Sequence, residues 1–158
     1  MTAEGEPRAS LDEPLAFVVA SVAQRIGGAA LDGLLVAMVI VVPLLLGIVD
    51  LDTLQNGLTA GWTVLLLLFG AAYTIVPTAL VGQTPGKLAV GTRVVVEADG
   101  SLPGWRRSVV RWFVSQGIAR LPYVGILISV VVTGSLLFDD RRRGYHDKAA
   151  GTIVVRAQ

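Results

Sequence analysis

The stretch IGGAALDGLLVAMVIVVPLLLGIV, residues 26–49, decides the fold, because it holds a single charge, Asp32, in twenty-four residues. As an α-helix it reaches about 36 Å, enough to cross a hydrocarbon core of about 30 Å with some tilt. A second run, 62–81, is twenty residues without a charge, opened by Trp62 and carrying Pro77 near its far end. Tryptophan suits the membrane–water interface, and membrane helices tolerate such a proline. The rest of the chain agrees with these two spans. Of its 158 residues, 53% are hydrophobic and 16% charged, against roughly 45–50% and about 25% in soluble domains. The length allows one unit and leaves no room for a separate catalytic domain. With no cysteine and one histidine, disulfides, thiolate sites and multi-histidine metal centres are excluded. Neither a metal nor a cofactor is expected.

Outward from these spans the reading is set by charge. The third apolar region, 123–138, covers only about 24 Å as helix, and lengthening it backward brings in Arg120 and Pro122. Segment 50–61 has no lysine or arginine, whereas 82–116 carries Lys87, Arg93, Arg106, Arg107 and Arg111, and the tail carries Arg141, Arg142, Arg143, Lys148 and Arg156. By the positive-inside rule both basic segments are cytoplasmic, which three simple crossings forbid. A helical hairpin resolves the conflict: an amphipathic arm at 105–119, with Arg107, Arg111 and Ser115 four residues apart, turns at 120–122 into 123–138. The expected fold is therefore an all-α multi-pass membrane bundle of two full spans plus a helical hairpin, four helices in total. Both termini would be cytoplasmic at the plasma membrane, with basic clusters drawn to anionic lipid head groups. Residues 1–14, acidic and holding Pro7 and Pro14, read as a disordered tail rather than a secretory signal. Residues 15–158 read as one membrane domain, with 15–23 an interfacial lead-in.

An internal echo adds a second element. KLAVGTRVV at 87–95 stands beside KAAGTIVV at 148–155, each a lysine-led turn stopped by glycine and followed by a β-branched run. Two short strands, about 93–97 and 152–156, would pair on the cytoplasmic side.

Few groupings carry chemistry. GQTPGK at 82–87 lacks the earlier glycine and the following hydroxyl of a phosphate loop, since Val81 and Leu88 stand there. His146 has only Asp147 as an evident partner, and no nucleophile elbow exists, so no enzyme is expected. Nucleic acid is not an expected partner either. Asp32 is the strongest signal. A carboxylate a third of the way into the bilayer costs about 2.5–3.5 kcal/mol and faces a bundle interior or a watery cavity. Arg25 lies on the same face, but about 10 Å away along the axis, so Arg111 or Arg120 is the expected partner of Asp32, and Arg25 reads as a snorkelling anchor. Two readings stay open: Asp32 as a cation or proton site, or as half of a structural ion pair. Gly28, Ala29, Gly33 and Ala37 allow close helix contact, with 70–72 of the second span as the expected opposite. Tyr73, Thr74 and Thr78 could line the same interior.

QRIGGAALDG at 24–33, GQTPGKLAVGTRVV at 82–95 and RGYHDKAAGTIVV at 143–155 together resemble the RDD family of small bacterial membrane proteins, named for one arginine and two aspartates. The resemblance runs over about 20–155, with the alanines at 149 and 150 standing where leucines are expected. It implies Arg25 as the arginine, with Asp32 and Asp147 as the aspartates. It also implies transport of an unidentified ligand, with cation/proton exchange proposed for some members. On this reading Asp32 is the protonatable group, Arg25 and Asp147 flank its cytoplasmic entrance, and a homo-oligomer encloses the pathway. The alternative is a membrane scaffold or assembly partner whose polar residues hold the fold together, Asp147 capping a helix before Lys148.

Overall fold

A computed structural model describes residues 18–55, 59–117, 131, 134, 135, 139 and 143–157. Among them the elements run α1 (Val22–Leu45), α2 (Leu51–Gln55), α3 (Ala60–Val81), α4 (Pro85–Ala89), β1 (Thr92–Val96), α5 (Gly104–Trp112), α6 (Tyr145–Ala150) and β2 (Thr152–Arg156).

The first span starts at Val22, four residues before the apolar run at 26–49. Ser21 and Gln24 cap each other reciprocally: the Gln24 amide donates to Ser21 Oγ at 3.2 Å and the Ser21 amide to Gln24 Oε1 at 3.1 Å. Such a box satisfies donors the first turn leaves bare. Pro43 sits in the last turn, and Gly47, at φ 68°, follows the C-cap residue Leu46. The Pro43 carbonyl accepts from the Ile48 and Val49 amides beyond. α1 keeps 24 residues and α3 has 22, so each is long and apolar enough to cross a membrane. Their outward residues, among them Leu34, Leu45, Leu65 and Leu68, are exposed, as lipid-facing side chains would be.

β1 and β2 pair antiparallel, with Val94 opposite Val154 and Thr92 opposite Arg156. The first strand begins one residue earlier than the echo suggests, and the second is where it was expected. Val94 and Val154 pack with Ala20, while Val95, Ile153 and Val155 pack with Val19. This small sheet holds much of the buried apolar core.

Two expectations change. The lead-in at 15–23 is described only from Val18, and there it runs extended beside the sheet, a pairing the sequence did not suggest. The Ala20 amide donates to Val154 O at 3.0 Å and the Arg156 amide to Val18 O at 2.9 Å, so β2 gains a partner on its second edge. The amphipathic arm also turns differently. α5 gives way to a π-helical turn at Phe113–Gly117, and it buries Ser108 and Arg111 while Arg107 stays exposed. The turn at 120–122 with Arg120, and most of 123–138, lie outside the described residues.

Candidate functional site

α1 delivers its polar groups from one face to the short elements packed against its N-terminal half. The helix docks on α4 where both backbones lack side chains. A Cβ on Gly86 would sit 2.3 Å from Gly28 O and 2.7 Å from the Asp32 backbone nitrogen, so only glycine fits. Gly28 therefore meets α4, not the 70–72 patch of α3. This contact places the Asp32 carboxylate over the turn between α3 and α4.

That turn is a set of donors. Gly82, at φ 73°, ends α3 in the left-handed conformation, and Pro85 opens α4 without an amide of its own. Asp32 Oδ1 accepts from the Gly86 amide at 2.7 Å and from the Tyr73 hydroxyl at 2.8 Å. Its Oδ2 accepts from the Thr84 hydroxyl and lies 3.6 Å from Lys87 Nζ. Lys87 Nζ also donates to Thr84 Oγ1 at 3.1 Å. Asp32 thus meets Lys87, not Arg111 as the sequence suggested. Lys87 is pushed down to about 8, first by burial and next by the Arg111 charge, with Asp32 opposing the shift.

The second carboxylate holds the other two cations. Asp147 is fully buried; its Oδ2 accepts from Arg25 Nη1 at 2.8 Å and from the Gly144 amide at 3.0 Å, and its Oδ1 accepts from Arg111 Nη1. Arg111 Nη1 also donates to Thr152 Oγ1 at 3.1 Å, and Arg25 Nη2 to Val154 O at 3.4 Å. Arg25 is thus a buried partner, its side chain 6% exposed, where the sequence suggested a snorkelling anchor. Carboxylates of this kind, bound to paired guanidinium groups, form short charge-assisted bonds. The Gly144 bond is the helix cap anticipated for Asp147, one part of a larger role.

His146 lies beside this pair, Nε2 3.7 Å from Asp147 Oδ2. Burial, and then the charges of Arg111, Arg25 and Lys87, push it down to about 2, so the imidazole is neutral at any physiological pH. Among the described residues its buried Nδ1 has no hydrogen-bond partner.

Between the two clusters is a cavity of about 560 Å3, lined among others by Arg25, Asp32, Tyr73, Lys87, Arg111 and His146, with apolar wall from Ile26, Val36, Trp112 and Val154. Sequence reasoning missed Thr84, Gly86 and Lys87 as Asp32 partners. Their signal was present in GQTPGK, whose donor types suit an anion. A third network lies apart from the cavity. Asp139 accepts from the Arg143 amide at 2.9 Å and from Lys148 Nζ at 2.7 Å, and Arg143 reaches Glu97. Among the described residues no group of histidine, cysteine, aspartate or glutamate could hold a metal ion.

Neither a curated protein nor a solved structure matches the chain. A family profile does: that of the RDD family, over residues 19–151, a range holding Arg25, Asp32 and Asp147.

Proposed function

The chain belongs to the RDD family, a membrane protein by that membership and by its two apolar helices, and we propose that it moves a small ion or solute through the polar cavity at Asp32. The cavity carries the reading. A half-buried carboxylate, its side chain 15% exposed, that lines about 560 Å3 of open space differs from one sealed in a structural pair, and intramembrane ionisable groups mark pathways. The proposed frame is a multi-pass bundle of four helices in the plasma membrane, with both termini cytoplasmic and no enzymatic activity. The proposed partners are anionic lipid head groups at the basic cytoplasmic face, where Arg106 and Arg107 are exposed, and further copies of the chain on the exposed apolar faces of α1 and α3. Reaching a C-terminal tag from the periplasmic side would refute the orientation.

A scaffold reading has one observation in its favour. Asp147, fully buried and held by two arginines, acts as a staple. The two roles divide between the two carboxylates: Asp147 holds the fold and Asp32 serves the cavity.

Asp32→Asn in reconstituted vesicles tests the proposal. Asparagine keeps an acceptor for the Gly86 amide and the Tyr73 hydroxyl, so the variant is expected to fold and to lose pH-dependent flux. Wild-type vesicles that pass no small cation or anion across a panel would overturn the transport role.

A further inference from the structure

The walls of the cavity are unequally charged. Arg25, Lys87 and Arg111 line it against the single carboxylate of Asp32. Counting Asp147 behind the wall, three cations face two carboxylates among the described residues. The imbalance is expressed in the neighbours: the three cations act on His146 in the same direction as its burial, and Arg111 and Arg25 both disfavour the charged form of Lys87. An unbalanced charge away from water is costly, and a protein removes that cost by giving up a proton or by taking a counter-charge.

The oxygens of Asp32 point the same way. They already accept from Tyr73, Thr84 and Gly86, with Lys87 beside them, so a cation would have to displace donors to reach them. An anion finds donors instead. Among the described residues the bonds of Arg111 leave from Nη1 alone, and a guanidinium fork has five N–H groups. Lys87, among the described residues, makes its hydrogen bond to Thr84 and its ion pair to Asp32. His146 adds a buried Nδ1 with no hydrogen bond among the described residues. Size excludes a bare halide as the natural fit, because cavities of roughly 300–1,000 Å3 suit organic molecules. Ile26, Val36, Trp112 and Val154 supply the apolar side.

Resting on the transport reading above, we infer that the cavity binds an organic anion, a carboxylate or phosphate monoester with an apolar body, its charged end between Lys87 and Arg111. Such a group occurs on free metabolite-sized acids and on anionic lipids. Binding also takes up a proton above pH 8, because the added negative charge restores the ammonium of Lys87. Of the groups facing Lys87, Arg25 and Asp32 lie on α1, Tyr73 on α3 and His146, held neutral by burial, on α6; Arg111 on α5 is itself drawn down to about 9 by burial and the Arg25 charge, so loss of the uptake in Lys87→Gln is what assigns the proton to Lys87.

Detergent-solubilised full-length protein is titrated calorimetrically with octyl phosphate, with octanoate and, as the cationic counterpart, with octyltrimethylammonium. Runs at pH 9 in buffers of different ionisation enthalpy read proton uptake. The anions are expected to bind and the ammonium not to. Lys87→Gln should weaken anion binding at least tenfold at pH 7 and abolish the uptake at pH 9. Gly33→Leu serves as the second variant. Gly33 lines the cavity and a Cβ there meets nothing within 4 Å, so a side chain has room to enter the cavity and should weaken binding while the protein melts as wild type does. Displacement of co-purified phosphatidylglycerol by octyl phosphate identifies lipid as the source; binding to protein stripped of anionic lipid identifies the free acid. Equal binding of the ammonium, or no binding of either anion, overturns the inference. Cation flux in vesicles with no anion binding would sink this inference and leave the transport reading standing, whereas anion binding without any flux would do the reverse.

Discussion

Asp147→Asn isolates the charge of the buried pair. Asparagine has nearly the same shape and keeps an oxygen for the Gly144 amide, so the cap of α6 is retained and only the negative charge is lost. The change leaves Arg25 and Arg111 facing each other, with side chains 6% and 11% exposed and no counter-charge from this residue. Removing one partner of a buried ion pair costs about 3–5 kcal/mol, a large part of a total stability of about 5–15 kcal/mol. For a chain of this size that lowers the melting temperature on the order of 10 °C, read by tryptophan fluorescence in mild detergent. Glu97→Gln is the control. It breaks the Arg143 pair, whose side chains are 23% and 25% exposed, and should cost less than about 1 kcal/mol. Combining Asp147→Asn with Arg111→Met removes one stranded cation, so the double variant should be more stable than the sum of the two changes implies, by more than about 1 kcal/mol. Costs that add to within about 0.5 kcal/mol would show that the two groups are independent and refute the buried triad.

Gly86→Ala should prevent α1 from docking, because the new methyl would lie 2.3 Å from Gly28 O; Gly28→Ala, whose nearest contact is Val90 Cγ2 at 3.1 Å, should be much milder. Protease protection of the segment 82–104, measured on both variants, checks the order. Stability should rise from about pH 8 toward 10.5, since Lys87 is held at about 8 in the fold against 10.5 unfolded, and the unfolded chain then binds more protons in that window. A parallel series on Lys87→Met, flat relative to wild type, assigns the slope to Lys87; an unchanged difference across the window would contradict it.

The two spans and the two strands were legible because each rests on a local pattern. Twenty apolar residues need no partner to be recognised, and the repeated lysine, glycine and β-branched run marks both strands. Pairings across the chain were not legible in this way. Arg111 sits on α5, 36 positions from Asp147, and nothing in its spacing prefers Asp147 over Asp32. The extended entry to α1 was missed for the same reason: Val18 and Ala20 bond to a strand more than a hundred residues away, and an apolar stretch of that length suits an interface equally well. The inward turn of Ser108 and the outward turn of Arg107 on α5 depend on which neighbours the helix meets.

The turn at 82–87 shows how the two aspartates and the arginine form one arrangement. Thr84, the Gly86 amide and Lys87 are the donor types that hold phosphate in a nucleotide-binding loop, and here an internal carboxylate occupies them. Asp32 can do so only because Gly28 and Gly86 bring the backbones of α1 and α4 into contact. Arg25 and Asp32, two helical turns apart on one face, are then set by that single contact, one toward Asp147 and the other toward the donor turn. The consequence is an order of dependence. Gly86→Ala should release both carboxylate clusters at once, whereas Asp147→Asn should loosen α5 and α6 and leave Tyr73, Thr84 and Gly86 on Asp32. Loss of Asp32 protection in Asp147→Asn, seen as exchange of the Gly86 amide, would mean that the two clusters support each other directly and not through the docking of α1.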